Sequence, residues 1–186
     1  MRRAPWDGVI LALDLATTIG FTIGHSSCEE PSWGTHKLPS GGSDAQAAIA
    51  LAGWLRPLLD KGHVGLVAKE TAPSIIAFKG ATNARTLQRL ISLGNKAEEV
   101  CLELGIECAD VDLTQWRKAL TGRARFGKSE RPYPPIAALA QIGFEVPDHN
   151  AADSFGVWLY ALAVRNVDAS LKFHPLARRS ARRMRA

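Results

Sequence analysis

The sequence has little of what holds proteins together covalently or inside a membrane. Its 186 residues include three cysteines, Cys28, Cys101 and Cys108, an odd number with no Cys-x-x-Cys pair. That pattern argues against a disulfide framework, and free thiols in a reducing cytoplasm are the expectation. No apolar run reaches the roughly 18 residues that a membrane span needs. The opening Met1-Arg2-Arg3 is not followed by a signal-peptide cleavage pattern. There is no internal repeat and no linker between domains. A chain of this length buries roughly 70% of its unfolded surface without staples, so one domain over residues 1–174 is expected.

Charge is present but unevenly placed. Lysine plus arginine exceed aspartate plus glutamate by 23 to 18, a net +5. The segment 175–186 alone carries Arg178, Arg179, Arg182, Arg183 and Arg185, and without it the chain is neutral. It reads as a disordered, arginine-rich tail. A second cluster, Arg117, Lys118, Arg123, Arg125, Lys128 and Arg131, contains Glu130 as its one acid. Two basic patches on a neutral body point to a polyanion such as DNA.

One acid is out of place. Val9 to Leu15 reads as a short strand buried on both faces, and Asp14 interrupts it. An isolated carboxylate there needs a cation, a hydrogen-bond cage or a raised pKa, unless it merely caps the turn that follows. Ala12 and Ala16 share its side of the strand by period-two parity and leave room for an approaching group. Thr17-Thr18-Ile19-Gly20 turns the chain into a hairpin.

The pattern predicts strands at 8–15, 18–25 and 32–38, then a helix capped by Ser43 or Asp44 and running to Lys61 on Ile49, Leu51, Leu55, Leu58 and Leu59. A strand over 64–70 ends in Glu70. After a loop, a long helix is expected over 82–104 on Leu87, Leu90, Ile91, Gly94, Ala97, Val100, Cys101 and Leu104. A strand at 106–111, a helix at 113–120, the basic loop 121–131, a proline-led helix at 134–142 and a last helix at 148–167 complete the order. Hairpins followed by helical crossovers imply an α/β protein: a mixed five-stranded sheet with helices on both faces.

Asp14 and Glu70 both lie at the C-terminal ends of buried strands, where open α/β sheets gather ligands. Asn150 and Asp153 share one face of the last helix, whose Ala151, Ala152 and Gly156 allow close packing on the sheet. Three acids converging with an amide need a cation, and hard oxygen donors without a cysteine or histidine set select Mg²⁺ or Mn²⁺.

These residues resemble the RuvC-type Holliday-junction resolvases, within the RNase H-like nucleases. The resemblance rests on Leu13-Asp14-Leu-Ala-Thr-Thr-Ile-Gly20, on Glu70 closing a later strand, and on Asn150-Ala-Ala-Asp153-Ser. Trp116-Arg-Lys-Ala-Leu-Thr-Gly122 and Gly127-Lys128-Ser129 look like the family's basic segment. It implies an RNase H-like fold and hydrolysis of branched DNA with two Mg²⁺ or Mn²⁺ ions per site. Asp14 would bridge the ions, Glu70 would hold one, and Asp153 with Asn150 would complete the other. It further implies Lys128 at the scissile phosphate, with Lys79, Arg117, Lys118, Arg123 and Arg125 along the DNA backbone and Phe78 as a wedge in the junction. Phe78 reads equally as a core residue under its loop. A homodimer is implied too, with Ala84, Leu87 and Ile91 as the expected contact row. No membrane and no nucleotide cofactor are implied. The chain departs from the family at Asn150, where an acid or histidine is usual; Asp148 and His149 are the neighbours that would compensate. Tyr133-Pro134-Pro135 has no place in this reading.

Two other classes share these features. Asn150 suits a junction-binding protein whose catalysis has lapsed. Asp14-Leu-Ala-Thr-Thr-Ile-Gly20 also looks like the phosphate hairpin of the actin and sugar-kinase ATPases, but those pair two such domains and 186 residues do not hold both.

Overall fold

Apolar residues on both faces make Val9–Asp14 a central strand, β1, and the sheet grows outward from it. The computed structural model describes residues 6–72, 84–127 and 129–173. Its elements follow as β2 (Thr18–His25), β3 (Ser32–Lys37), α1 (Asp44–Lys61), β4 (Val64–Glu70), α2 (Ala84–Glu103), β5 (Glu107–Val111), α3 (Leu113–Thr121), α4 (Pro134–Gln141), α5 (His149–Arg165) and α6 (Val167–Leu171). Five strands lie in the order β3-β2-β1-β4-β5. The hairpin pairs β1–β2 and β2–β3 are antiparallel, whereas β1–β4 and β4–β5 are parallel. Parallel neighbours need long crossovers, and α1 and α2 supply them. The expected mixed sheet, with helices on both faces, is what the chain forms.

Strand parity divides the core. Ile10, Ala12, Leu66 and Ala68 pack with Trp116, Phe155 and Trp158 beneath α3–α5. Leu11, Leu13 and Val67 pack on the opposite face with Leu51 and Leu55 of α1 and Leu93 and Ala97 of α2. Each such large side chain taken out of water contributes about 1.5–3 kcal/mol. Asp14 continues the parity of Ile10 and Ala12, so it faces α5. On β4 the alternation puts Glu70 on that face and Lys69 on the other, where Lys69 is buried and paired with Asp110 of β5, its partner in the strand register.

Helix ends follow local chemistry. Ser43 and Gln46 form a capping box on α1, and Asp112 and Asp148 cap α3 and α5. Gly122, at φ +77°, ends α3 in a left-handed turn that disfavours a side chain.

Four details differ from the sequence pattern. Ile49 is 69% exposed, because it lies two residues from both Ala47 and Leu51 and so points away from their face. Leu104 is exposed beyond the end of α2, and Leu93, four residues before Ala97, takes the buried place instead. Leu87 of the expected contact row is buried within its own chain while Ala84 is exposed, so that row is not one continuous surface. The last helix stops at Arg165, where Asn166 accepts from the Ala169 N–H and starts the separate α6. Phe78, Lys79, Lys128 and the 175–186 tail lie outside the described residues. Among the described residues no helix is long and apolar enough to cross a membrane.

Candidate active site

A glycine decides how the site is assembled. Gly20 of β2 pairs directly with Asp14, and a β-carbon there would lie 1.9 Å from the Asn150 carbonyl oxygen. The first turn of α5 therefore rests on bare backbone beside Asp14. Deeper in the same contact, the Thr22 and Ser154 hydroxyls hydrogen-bond at 3.0 Å in a fully buried position. This brings Asp153 towards Asp14. Leu13 of β1 pairs in parallel with Lys69 of β4, so the next residue on each strand, Asp14 and Glu70, are neighbours.

The electrostatics register the convergence. The Asp14 carboxyl is pushed well above the usual range, first by burial and then by repulsion from Asp153 and Glu70. Glu70 is raised to about 7 by burial and by Asp153, against a hydrogen bond from Trp116. Asp153 is raised to about 6 by burial, offset by Tyr133 and Arg117. Arg117 is the cation that lowers all three.

A second layer holds these acids. The Trp116 indole Nε1–H donates to Glu70 Oε2 at 3.2 Å. Gly156 of α5 makes room for that indole, since a β-carbon there would be 2.5 Å from its ring. The Tyr133 hydroxyl donates to both Asp153 oxygens, at 2.9 and 3.0 Å. Arg117 reaches Asp153 Oδ2 at 3.6 Å and the Tyr133 oxygen at 3.3 Å, and stacks over Phe126 at 5.1 Å. His149 lies against the Tyr133 ring, 4.4 Å between centroids. Asp148 is committed to the Ala151 N–H as a helix cap. Both nonetheless act on the acids: Asp148 adds to the repulsion on Asp14, and His149 favours the charged form of Asp153.

Asp14, Glu70 and Asp153 are thus brought together, with Asn150 in the same first turn of α5. Among the described residues, however, no three histidine, cysteine, aspartate or glutamate side chains form a ready-made metal cage. Arg117, expected on the DNA path, is turned instead to Asp153. Arg123 pairs with Glu130, whose carboxylate also accepts from the Gly127 N–H. Lys118 and Arg125 are exposed on the same segment. A cavity of about 220 Å³ opens beside Asp14 and Glu70 and runs to Leu90, Ile91 and Asn95 of α2. The sequence placed Trp116 and Arg117 only in a basic segment and left Tyr133-Pro134-Pro135 without a role, so the contacts of Trp116 with Glu70 and of Tyr133 and Arg117 with Asp153 were missed.

No protein-family model matches the sequence, and no curated protein does. Solved structures do. The chain superposes on Thermus thermophilus RuvC with a TM-score of 0.63 at 13% identity, over 84% of this chain and 95% of that one. The fold is RuvC-like. T. thermophilus RuvC in complex with a Holliday junction substrate gives a TM-score of 0.64 at 11% identity, over 85% and 95% of the two chains. The yeast mitochondrial Holliday junction resolvase Ydc2 gives 0.54 at 12% identity, over 92% and 83%. At 11–13% identity these likenesses show the fold.

Proposed function

We propose that residues 1–174 form one nuclease domain, a metal-dependent endonuclease that hydrolyses phosphodiester bonds in branched DNA. The observation that carries this reading is the meeting of Asp14, Glu70 and Asp153 from three separate elements, with Arg117 as the cation they share. Natural cores rarely keep mutually repelling carboxylates unless a bound cation compensates them. The donor set fits Mg²⁺ or Mn²⁺, being all oxygen with no thiolate and no histidine among the converging side chains. Asp14, Glu70 and Asp153 would hold the metal, two ions per site, with the Asn150 amide oxygen as a neutral ligand. Bound divalent ions supply activation of the attacking water and stabilisation of the leaving 3′ oxygen.

The remaining roles belong to the chain. Trp116 keeps Glu70 in one orientation and favours its charged form. Arg117 offsets the acids until a cation arrives. Lys118, Arg123 and Arg125 would contact phosphates of the DNA backbone, Lys128 would serve the scissile phosphate, and Lys79 and Phe78 would engage the branch. Two copies of the chain provide the paired cuts that resolve a four-way junction, acting on cytoplasmic DNA. A junction-binding protein without catalysis is the second reading, favoured by Asn150, whose amide brings neither charge nor a base. Synthetic four-way junctions with Mg²⁺ or Mn²⁺ separate the two. Nicking that stops on Asp14→Asn supports the nuclease. Binding without nicking supports the scaffold, and nicking that survives Asp14→Asn overturns the site.

A further inference from the structure

Tyr133 leads into α4, and its hydroxyl stands almost equally far from the two oxygens of Asp153, 2.9 and 3.0 Å. An atom so placed lies across the mouth of the carboxylate. That is the position a cation takes when both oxygens chelate it. The hydroxyl is held there on several sides. Arg117 donates to it at 3.3 Å, His149 covers one side of the ring at 4.4 Å, and Phe126 meets it edge-on at 5.8 Å. The Asp153 side chain is 13% exposed and Arg117 21%, so water does not readily replace the phenol.

We infer that Tyr133 is a specificity-determining residue that blocks bidentate use of Asp153 and so sets which divalent cation the site prefers. This rests on the metal-binding reading above and deepens it. With the chelating position filled, Asp153 offers a single oxygen through an outer lone pair. Mg²⁺ needs near-ideal octahedral geometry and uses one-oxygen carboxylates and water. Ca²⁺ is larger, takes six to eight oxygens and gains from chelation. The phenol therefore selects against Ca²⁺ without touching the cation. It acts through Asp153 and is not itself a ligand.

The test is calorimetric titration of the full chain, free of DNA, with MgCl₂ and separately with CaCl₂, for wild type, Tyr133→Phe, Asp153→Asn and the double variant. Tyr133→Phe keeps the ring against His149 and Phe126 and removes the hydroxyl. Its Ca²⁺-to-Mg²⁺ affinity ratio should rise by roughly tenfold, the lower end of what partners of metal ligands control. In the Asp153→Asn background the same change should leave the ratio unaltered. An unchanged ratio in Tyr133→Phe, with binding that Asp14→Asn still abolishes, overturns the inference and leaves the metal site standing. A parallel loss of both affinities also overturns it, because Tyr133 would then only orient Asp153. Absence of any Asp14-dependent cation binding overturns the metal reading and this inference together.

Discussion

Replacing Gly20 by alanine adds one carbon at the contact on which the site depends. That carbon would sit 1.9 Å from the Asn150 oxygen and 2.4 Å from its carbonyl carbon, both backbone atoms that cannot rotate away. Relief to about 3 Å moves the first turn of α5 by about 1.1 Å relative to β2. Overpacking of this kind costs about 1–3 kcal/mol. For a chain of this size that is a fall of roughly 2–12 °C in Tm. The catalytic effect should be larger than the loss of stability suggests. A misplacement of about 1 Å between reacting groups costs on the order of a hundredfold in rate, and here the shift separates Asp153 from Asp14. The assay pairs thermal unfolding with single-turnover cleavage of a four-way junction, read at a temperature where the variant is fully folded. Gly53→Ala is the control: Gly53 lies within α1 with nothing within 4 Å of its added carbon. There the better helix propensity of alanine should stabilise by up to about 1 kcal/mol. A Gly20→Ala protein with wild-type Tm and cleavage would refute the argument that bare backbone at this position sets the site.

Three further outcomes are expected. Asp14→Asn should abolish cleavage yet stabilise the chelator-treated protein by about 0.5–2 kcal/mol, because it removes a repelled, desolvated charge; a destabilised variant would assign Asp14 a structural role. In chelator the folded-state carboxyls of Glu70, at about 7, and Asp153, at about 6, lie above their ordinary values. The native state then binds more protons than the unfolded one, so their contribution is complete below about pH 4 and is lost as pH rises through 7. Tm should fall over that window and the decline should vanish with saturating Mg²⁺; a flat profile in chelator would count against convergence of the acids. Removing residues 175–186, with their five arginines, should weaken DNA binding and flatten its salt dependence without moving the cleavage position. An unchanged slope would assign the tail no phosphate contacts.

The hairpin, the crossover helices and the cap of α1 were legible because each is written in neighbours within a few residues. Ser43 with Gln46 and the alternation along Val9–Asp14 are local signals. The three acids were legible for a different reason: Asp14 and Glu70 end apolar strands, and Asp153 shares a helix face with Asn150. What escaped was long-range. The Trp116–Glu70 hydrogen bond spans 46 positions and the Tyr133–Asp153 bond spans 20, and both exist only after α3 and α4 pack on α5. Arg117 read as one more cation of a basic segment because its sequence neighbours are basic, while its polar partners, Tyr133 and Asp153, lie beyond it. Ile49 and Leu93 show that a helical stripe is ambiguous by a residue when both faces carry apolar side chains.

The pairing of β4 carries a further meaning. Leu66, Val67 and Ala68 are apolar on both faces, so a slip of one residue against β1 would leave the two cores nearly as greasy as before. It would also exchange Lys69 with Glu70. An ammonium would then stand beside Asp14 and Asp153, neutralising them in a sheet that looks correct and can bind no cation. The Lys69–Asp110 pair on one face and the Trp116–Glu70 bond on the other oppose that exchange. Two polar contacts thus fix a register that the apolar residues of β4 leave nearly undetermined.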